Sequence, residues 1–177
     1  IPVYCLSELS PAQAPPGRPS VACGKAAYCY IKSAAELVLS HAADAMATAP
    51  ISKRVLQDAG YRYPGHTELL AELTGTKECR MMLVGDRLRI VLVTVHLPLR
   101  NVPRSLNPER ILATLGLTHR AMQRYFGLAR PRIAVAALNP HAGEEGIFGP
   151  EEKVKIAPAV SSARRRGIRA EGPFARM

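Results

Sequence analysis

At 177 residues the chain is long enough for one domain with a sizeable core, and 47% hydrophobic residues exclude wholesale disorder. No apolar run reaches the roughly 18 residues that a membrane span needs, and the opening Ile1-Pro2-Val3-Tyr4 has none of the regions of a signal peptide. The formal charge of +10 is lopsided: residues 1–60 hold five Lys/Arg against four Asp/Glu and residues 61–177 hold nineteen against ten, so the second stretch attracts anions such as phosphorylated metabolites or dinucleotides. The four cysteines form no CxxC pair and match no zinc module, which fits idle thiols in a reducing, cytoplasmic setting.

Residues 10–20 are proline-rich and are expected as a loop. Gly24 to Ala43 is expected as a helix, with Tyr30, Ala34, Leu37 and His41 recurring at three- and four-residue steps. Asp44 to Pro50 reads as a short buried strand. Ser52 is placed to cap a helix through Asp58 that stops at Gly60. A loop from Tyr61 to Gly65 leads to a second short helix over Thr67 to Leu73. Arg80–Val84 and Leu88–Val95 read as strands joined at Gly85-Asp86 in a hairpin. Asn107 is the expected N-cap of a long amphipathic helix, with Pro108 at its first position and Gly127 after its last residue, Phe126. Arg132–Leu138 is another apolar strand. A helix over Pro150 to Arg166 and the start of a strand at Ile168 follow. Helices alternating with short apolar strands imply an α/β fold with a mixed, mostly parallel sheet and helices on both faces. Ligands of such sheets bind beyond the carboxyl ends of the strands.

Neither GxGxxG, GxxxxGK[ST], GxSxG nor HExxH occurs, so a Rossmann fingerprint, a P-loop, a nucleophile elbow and a zincin helix find no support. Three histidines stand out because Pro or Gly lies close to each. They are His66 in Tyr63-Pro-Gly-His-Thr-Glu68, His96 in Thr94-Val-His-Leu-Pro-Leu99, and His141 in Leu138-Asn-Pro-His-Ala-Gly-Glu144. His96 and His141 fall just past two expected strands, where a neutral imidazole suits metal binding or acid–base work. His41 and His119 are expected inside helices and lack that context. Aromatic residues at 5% and the absence of Trp offer no stacking platform for nucleic acid, so neither nucleic acid nor membrane is an expected partner.

Taken together, Thr48-Ala-Pro-Ile-Ser-Lys53, Pro64-Gly-His-Thr-Glu68, Val95-His-Leu-Pro-Leu99 and Leu138-Asn-Pro-His-Ala-Gly-Glu144 resemble, in order and spacing, the signature series of the 4-hydroxythreonine-4-phosphate dehydrogenase family. The likeness runs from about Gly24 to Pro173. It implies that His66 and Thr67 bind substrate and that His96 and His141 are two of three divalent-metal ligands. It also implies that His66 and, in a looser role, Lys53 take part in catalysis, with Asn139 close to substrate or cofactor. The implied reaction is NAD-dependent (or NADP-dependent), assisted by zinc, magnesium or cobalt. It is the oxidation and decarboxylation of 4-phosphohydroxy-L-threonine on the route to pyridoxal phosphate. The implied assembly is a homodimer, and the implied architecture is the two-lobed α/β/α fold of the isocitrate dehydrogenase type, which binds NAD without GxGxxG. The resemblance assigns no NAD-binding residue.

The chain reads as the central part of such an enzyme, residues 1–177 falling short of the family pattern at both ends. The third metal ligand and the phosphate-binding residues are expected in a segment beyond Pro173. Two alternatives accompany this reading. One is a sister dehydrogenase for threonate or erythronate phosphate or for an aromatic cis-dihydrodiol. The other is an inactive remnant that serves as a binding or dimerisation module.

Overall fold

The computed structural model describes residues 3–175. They form two compact units, one ending at Cys79 and the other beginning at Arg80.

The first unit is helical. Helix α1 spans Val21–Leu39 and starts earlier than the sequence pattern implied, because the Ser20 side chain accepts a hydrogen bond from the Cys23 amide and caps it. Its buried residues are Gly24, Ala26, Ile31 and Ala35. Tyr30 and Leu37 are instead exposed, and His41 lies beyond the helix at a φ of 60°. The reason is the close approach of helix α2, Lys53–Asp58: a Cβ on Gly24 would meet the Val55 carbonyl oxygen at 2.4 Å. Ile31 apart, small side chains mark the packed face. Ser52 caps α2 as expected, accepting from the Val55 amide. Helix α3 covers His66–Leu73. Leu56 and Leu69 are the largest fully buried side chains, so α2 and α3 each drive one leucine into this small core. The expected strand over Asp44–Pro50 is not formed. The segment is irregular and mostly exposed, and with no neighbouring chain to complete a ladder among the described residues it is not a strand.

The second unit holds all the sheet structure among the described residues. Strands β1 (Met82–Val84) and β2 (Arg89–Val91) form the expected antiparallel hairpin, with Leu83 opposite Ile90, though each is shorter than the apolar runs that announced it. A 3₁₀ turn, Leu99–Asn101, runs into the single turn of α4, Val102–Ser105. Helix α5, Pro108–Phe126, begins at Asn107, whose side chain accepts from the Arg110 amide at 2.7 Å, and ends at left-handed Gly127. Strand β3, Arg132–Ala136, pairs in parallel with β4, Arg169–Phe174. Between them, a π-helical turn over Glu152–Ile156 leads into α6, Ala157–Arg165. The crossover β3–α6–β4 is the α/β unit the sequence implied. The hairpin, however, is a separate two-stranded sheet and does not join it among the described residues.

Leu106, Ile111 and Leu115 pack with Ile156, Ala159, Val160 and Ala163 and with Ile168 and Ala170 to form this unit's core. Along β3, Ile133 and Val135 are half-buried and alternate with exposed Arg132, Ala134 and Ala136, the period-two signature of a strand covered on one face. No helix among the described residues is long and apolar enough to cross a membrane.

Candidate functional site

In the first unit, two of the four sequence motifs meet. Thr48, Ala49, Pro50 and Ile51 line a cavity of about 290 Å³ together with Ile31 of α1 and His66. His66 is the first residue of α3. Its Nε2 is buried and has no hydrogen-bond partner. A buried, unsatisfied imidazole nitrogen costs about 1–3 kcal/mol unless a ligand satisfies it. The loop before it is held by the Tyr63 hydroxyl, which donates to Glu72 in the last turn of α3 at 2.8 Å. That bond to a carboxylate raises the Tyr63 hydroxyl above its ordinary pKa of 10.0. Thr67 follows on the first turn of α3 and is half-buried. Lys53 stands at the first position of α2 with an exposed side chain, and it is not among the residues lining the cavity.

In the second unit, His96 and His141 each sit in a loop a few residues past the carboxyl end of a strand, β2 and β3 respectively. Both are exposed, and both have left-handed backbones, at φ 55° and φ 50°. A left-handed histidine is uncommon, and such strain persists only where the surroundings over-determine it. Near the first loop, the Arg110 guanidinium of α5 donates to the carbonyl of Val93 at 3.1 Å. The second loop is more unusual. His141, Ala142, Gly143, Glu144 and Glu145 all have positive φ and make a short left-handed turn. Each non-glycine residue in that conformation costs about 1–2 kcal/mol. The His141 ring lies 6.2 Å from that of Phe148 in a tilted arrangement.

What holds this turn is a carboxylate that the sequence did not single out. Glu152 is 4% exposed, the only charged side chain in the buried class among the described residues. Its Oε1 accepts from the Leu138 amide at 2.9 Å and the Asn139 amide at 2.7 Å, and its Oε2 accepts from the Asn139 side-chain amide at 3.0 Å. The same Asn139 Nδ2 donates to Glu151. Burial pushes the Glu152 carboxyl up, but the hydrogen bonds from Asn139 and Leu138 outweigh it and hold the group below its ordinary value of 4.5. The available signal was Pro150-Glu-Glu152 directly after a glycine-rich loop, which by itself reads as ordinary acidic residues in a first helical turn.

The donor chemistry of His96 and His141 fits a divalent metal: two imidazoles of one unit, both on loops past strand ends, both exposed on strained backbone. No three His, Cys, Asp or Glu side chains come together as a complete metal cage among the described residues.

The chain matches the family model of pyridoxal phosphate biosynthetic protein PdxA over residues 3–176. It is 56% identical over 174 residues to a 4-hydroxythreonine-4-phosphate dehydrogenase of Geobacter metallireducens, covering 98% of this chain and 51% of that protein. A D-threonate 4-phosphate dehydrogenase of Cupriavidus necator is 46% identical over 167 residues, covering 94% of this chain and 50% of that one. The crystal structure of 4-hydroxythreonine-4-phosphate dehydrogenase from Klebsiella pneumoniae superposes with a TM-score of 0.82 at 44% identity, covering 92% of this chain and 51% of that one. The chain thus spans about half the length of the curated relatives it matches.

Proposed function

The chain belongs to the pyridoxal phosphate biosynthetic protein PdxA family, and on that footing we propose that it carries part of the active site of a metal-assisted, NAD-dependent 4-hydroxythreonine-4-phosphate dehydrogenase. The single observation that carries this reading is the cavity that Thr48–Ile51 and His66 line together, with the His66 Nε2 buried and without a hydrogen-bond partner. His66 supplies a hydrogen bond to substrate through Nε2. Thr67, at the positive end of α3, binds an anionic group of the substrate with its hydroxyl. Lys53, one residue past the Ser52 cap and outside the cavity lining, contributes positive charge to the approach of the anionic substrate.

His96 and His141 are two of the protein ligands of a divalent cation. The cation, when bound, supplies Lewis acidity toward the substrate hydroxyl and toward the negative charge that develops on decarboxylation. In the reaction the carbinol C–H leaves as hydride to the nicotinamide, the hydroxyl proton passes to a base, and the resulting β-keto acid loses carbon dioxide. His66 is the proposed acceptor of that proton. Dimerisation is part of the proposal: exposed Leu83, Val84 and Leu88 on the hairpin are the kind of apolar surface a second copy buries.

The test is NADH formation by the intact protein from 4-phosphohydroxy-L-threonine, NAD and a divalent cation. Chelation should abolish turnover and added metal restore it. His96→Ala and His141→Ala should lose bound metal, whereas His66→Ala should keep it and raise KM roughly ten- to hundredfold. Turnover indifferent to chelation would refute the metal role. A second reading, oxidation of D-threonate 4-phosphate, has in its favour the 46% identical relative of that name.

A further inference from the structure

We infer that Glu152 is a positioning residue for the His141 ligand: its buried carboxylate clamps the chain at Leu138 and Asn139 and so fixes the left-handed turn that presents the imidazole. This rests on the reading of His141 as a metal ligand. Three hydrogen bonds converge on the one carboxylate, two from backbone amides at the end of the segment that follows β3 and one from the Asn139 side chain. His141 lies two positions beyond Asn139, so the clamp closes immediately before the turn begins. The turn leans on the same group from its other side. Gly143, at φ 81°, is buried, and a Cβ there would meet Glu152 Oε2 at 2.8 Å. Lys153, the next residue along, donates to the Glu145 carbonyl at the far end of the turn at 2.5 Å. The π-helical turn from Glu152 to Ile156 is the element on which this carboxylate rides, and such turns are frequent at functional sites. The turn is therefore held at its start, its middle and its end by two adjacent residues. Bonds from amides to a carboxylate are charge-assisted and directional, which suits them to orienting a ligand.

The experiment titrates metal-free intact protein with Co²⁺, reading affinity and the visible cobalt spectrum, for wild type, His141→Ala, Glu152→Gln and Gly143→Ala. Glu152→Gln keeps the volume but turns an amide N–H₂ toward donors that now face a carboxylate. Gly143→Ala pushes on the same carboxylate from the loop side and also strains the turn at its φ of 81°, so if the first variant does not fold the test rests on faster exchange of the Leu138 and Asn139 amides in Gly143→Ala, beside the cobalt affinity. Each should weaken cobalt binding about 10–100-fold and alter the cobalt spectrum at saturation while the far-ultraviolet dichroism stays native. The pair combined should weaken it by less than the product of the two, because they disturb one network. In the metal-free state the Leu138 and Asn139 amides should exchange with solvent faster in Glu152→Gln than in wild type. Affinities within about twofold of wild type in both variants, with binding lost in His141→Ala, would overturn the positioning role and leave the ligand assignment standing. Undiminished binding in His141→Ala would instead overturn the ligand assignment and the positioning role with it.

Discussion

Replacing Gly24 by Ala puts one methyl group into the contact between α1 and α2. The new Cβ would lie 2.4 Å from the Val55 carbonyl oxygen and 2.8 Å from the Ala59 Cβ, so the helices must separate until both contacts reach ordinary van der Waals range. Overpacking of this kind costs about 1–3 kcal/mol. Alanine is a better helix former than glycine by up to about 1 kcal/mol, which offsets part of the cost. The net expectation is a loss of about 1–2 kcal/mol, or roughly 2–8 °C in the midpoint of thermal unfolding for a domain of this size. Function should follow packing, because α1 supplies Ile31 and α2 continues the segment Thr48–Ile51, both of which wall the cavity that holds His66. KM for the phosphorylated substrate should therefore rise while the metal content stays constant. The assay is thermal unfolding by circular dichroism alongside steady-state kinetics, with Gly24→Ser as a second, more damaging step. A Gly24→Ala protein more stable than wild type would show that helix propensity is unopposed and that α1 and α2 do not meet at this position.

Leu69 is fully buried in α3, three positions after His66, and Leu69→Ala should cost about 2–5 kcal/mol by chemical denaturation. Tyr63→Phe removes the bond to Glu72 from a half-exposed loop, so a stability loss of about 0.5–1.5 kcal/mol is expected, with a larger relative effect on KM than on kcat. Glu152 has its folded-state carboxyl held below 4.5, so its contribution to stability is complete above that value and is lost as pH falls through the folded value. Thermal midpoints measured from about pH 6 down to pH 3 should therefore converge between wild type and Glu152→Gln at the acid end. A constant difference across that range would refute the ionised clamp.

The parts of the fold that were legible in the sequence are those with local causes. Helix α5 was readable from Asn107, Pro108 and Gly127, because a capping side chain, a first-turn proline and a left-handed glycine each act within a few residues of themselves. Helix α2 was readable from Ser52 for the same reason. The packed face of α1 was not, because in an alanine-rich helix the deciding fact is how near α2 comes to Gly24, and that distance belongs to the tertiary structure. The segment 44–50 has the apolar content of a strand, but strand formation depends on a neighbouring chain as much as on composition.

At the site, the motif containing Thr48 and that containing His66 were visible separately, and only the fold brings them onto one cavity. The proline and glycine around His96 and His141 marked bends. The left-handed run from His141 to Glu145 was invisible, since four of its five residues have side chains that ordinarily avoid that conformation. The clamp by Glu152 was invisible too, because the partners lie more than a dozen residues apart in the chain.

The most direct measurement is a side-by-side comparison of kcat/KM for 4-phosphohydroxy-L-threonine and D-threonate 4-phosphate with the intact protein, NAD and a divalent cation. At least about a tenfold preference for the phosphorylated amino acid is expected, since D-threonate 4-phosphate carries a hydroxyl where the amino acid carries an ammonium group, and the charge-assisted hydrogen bonds of the ammonium are lost. A preference for the threonate, or no turnover of either compound by metal-loaded protein, would contradict the proposed activity.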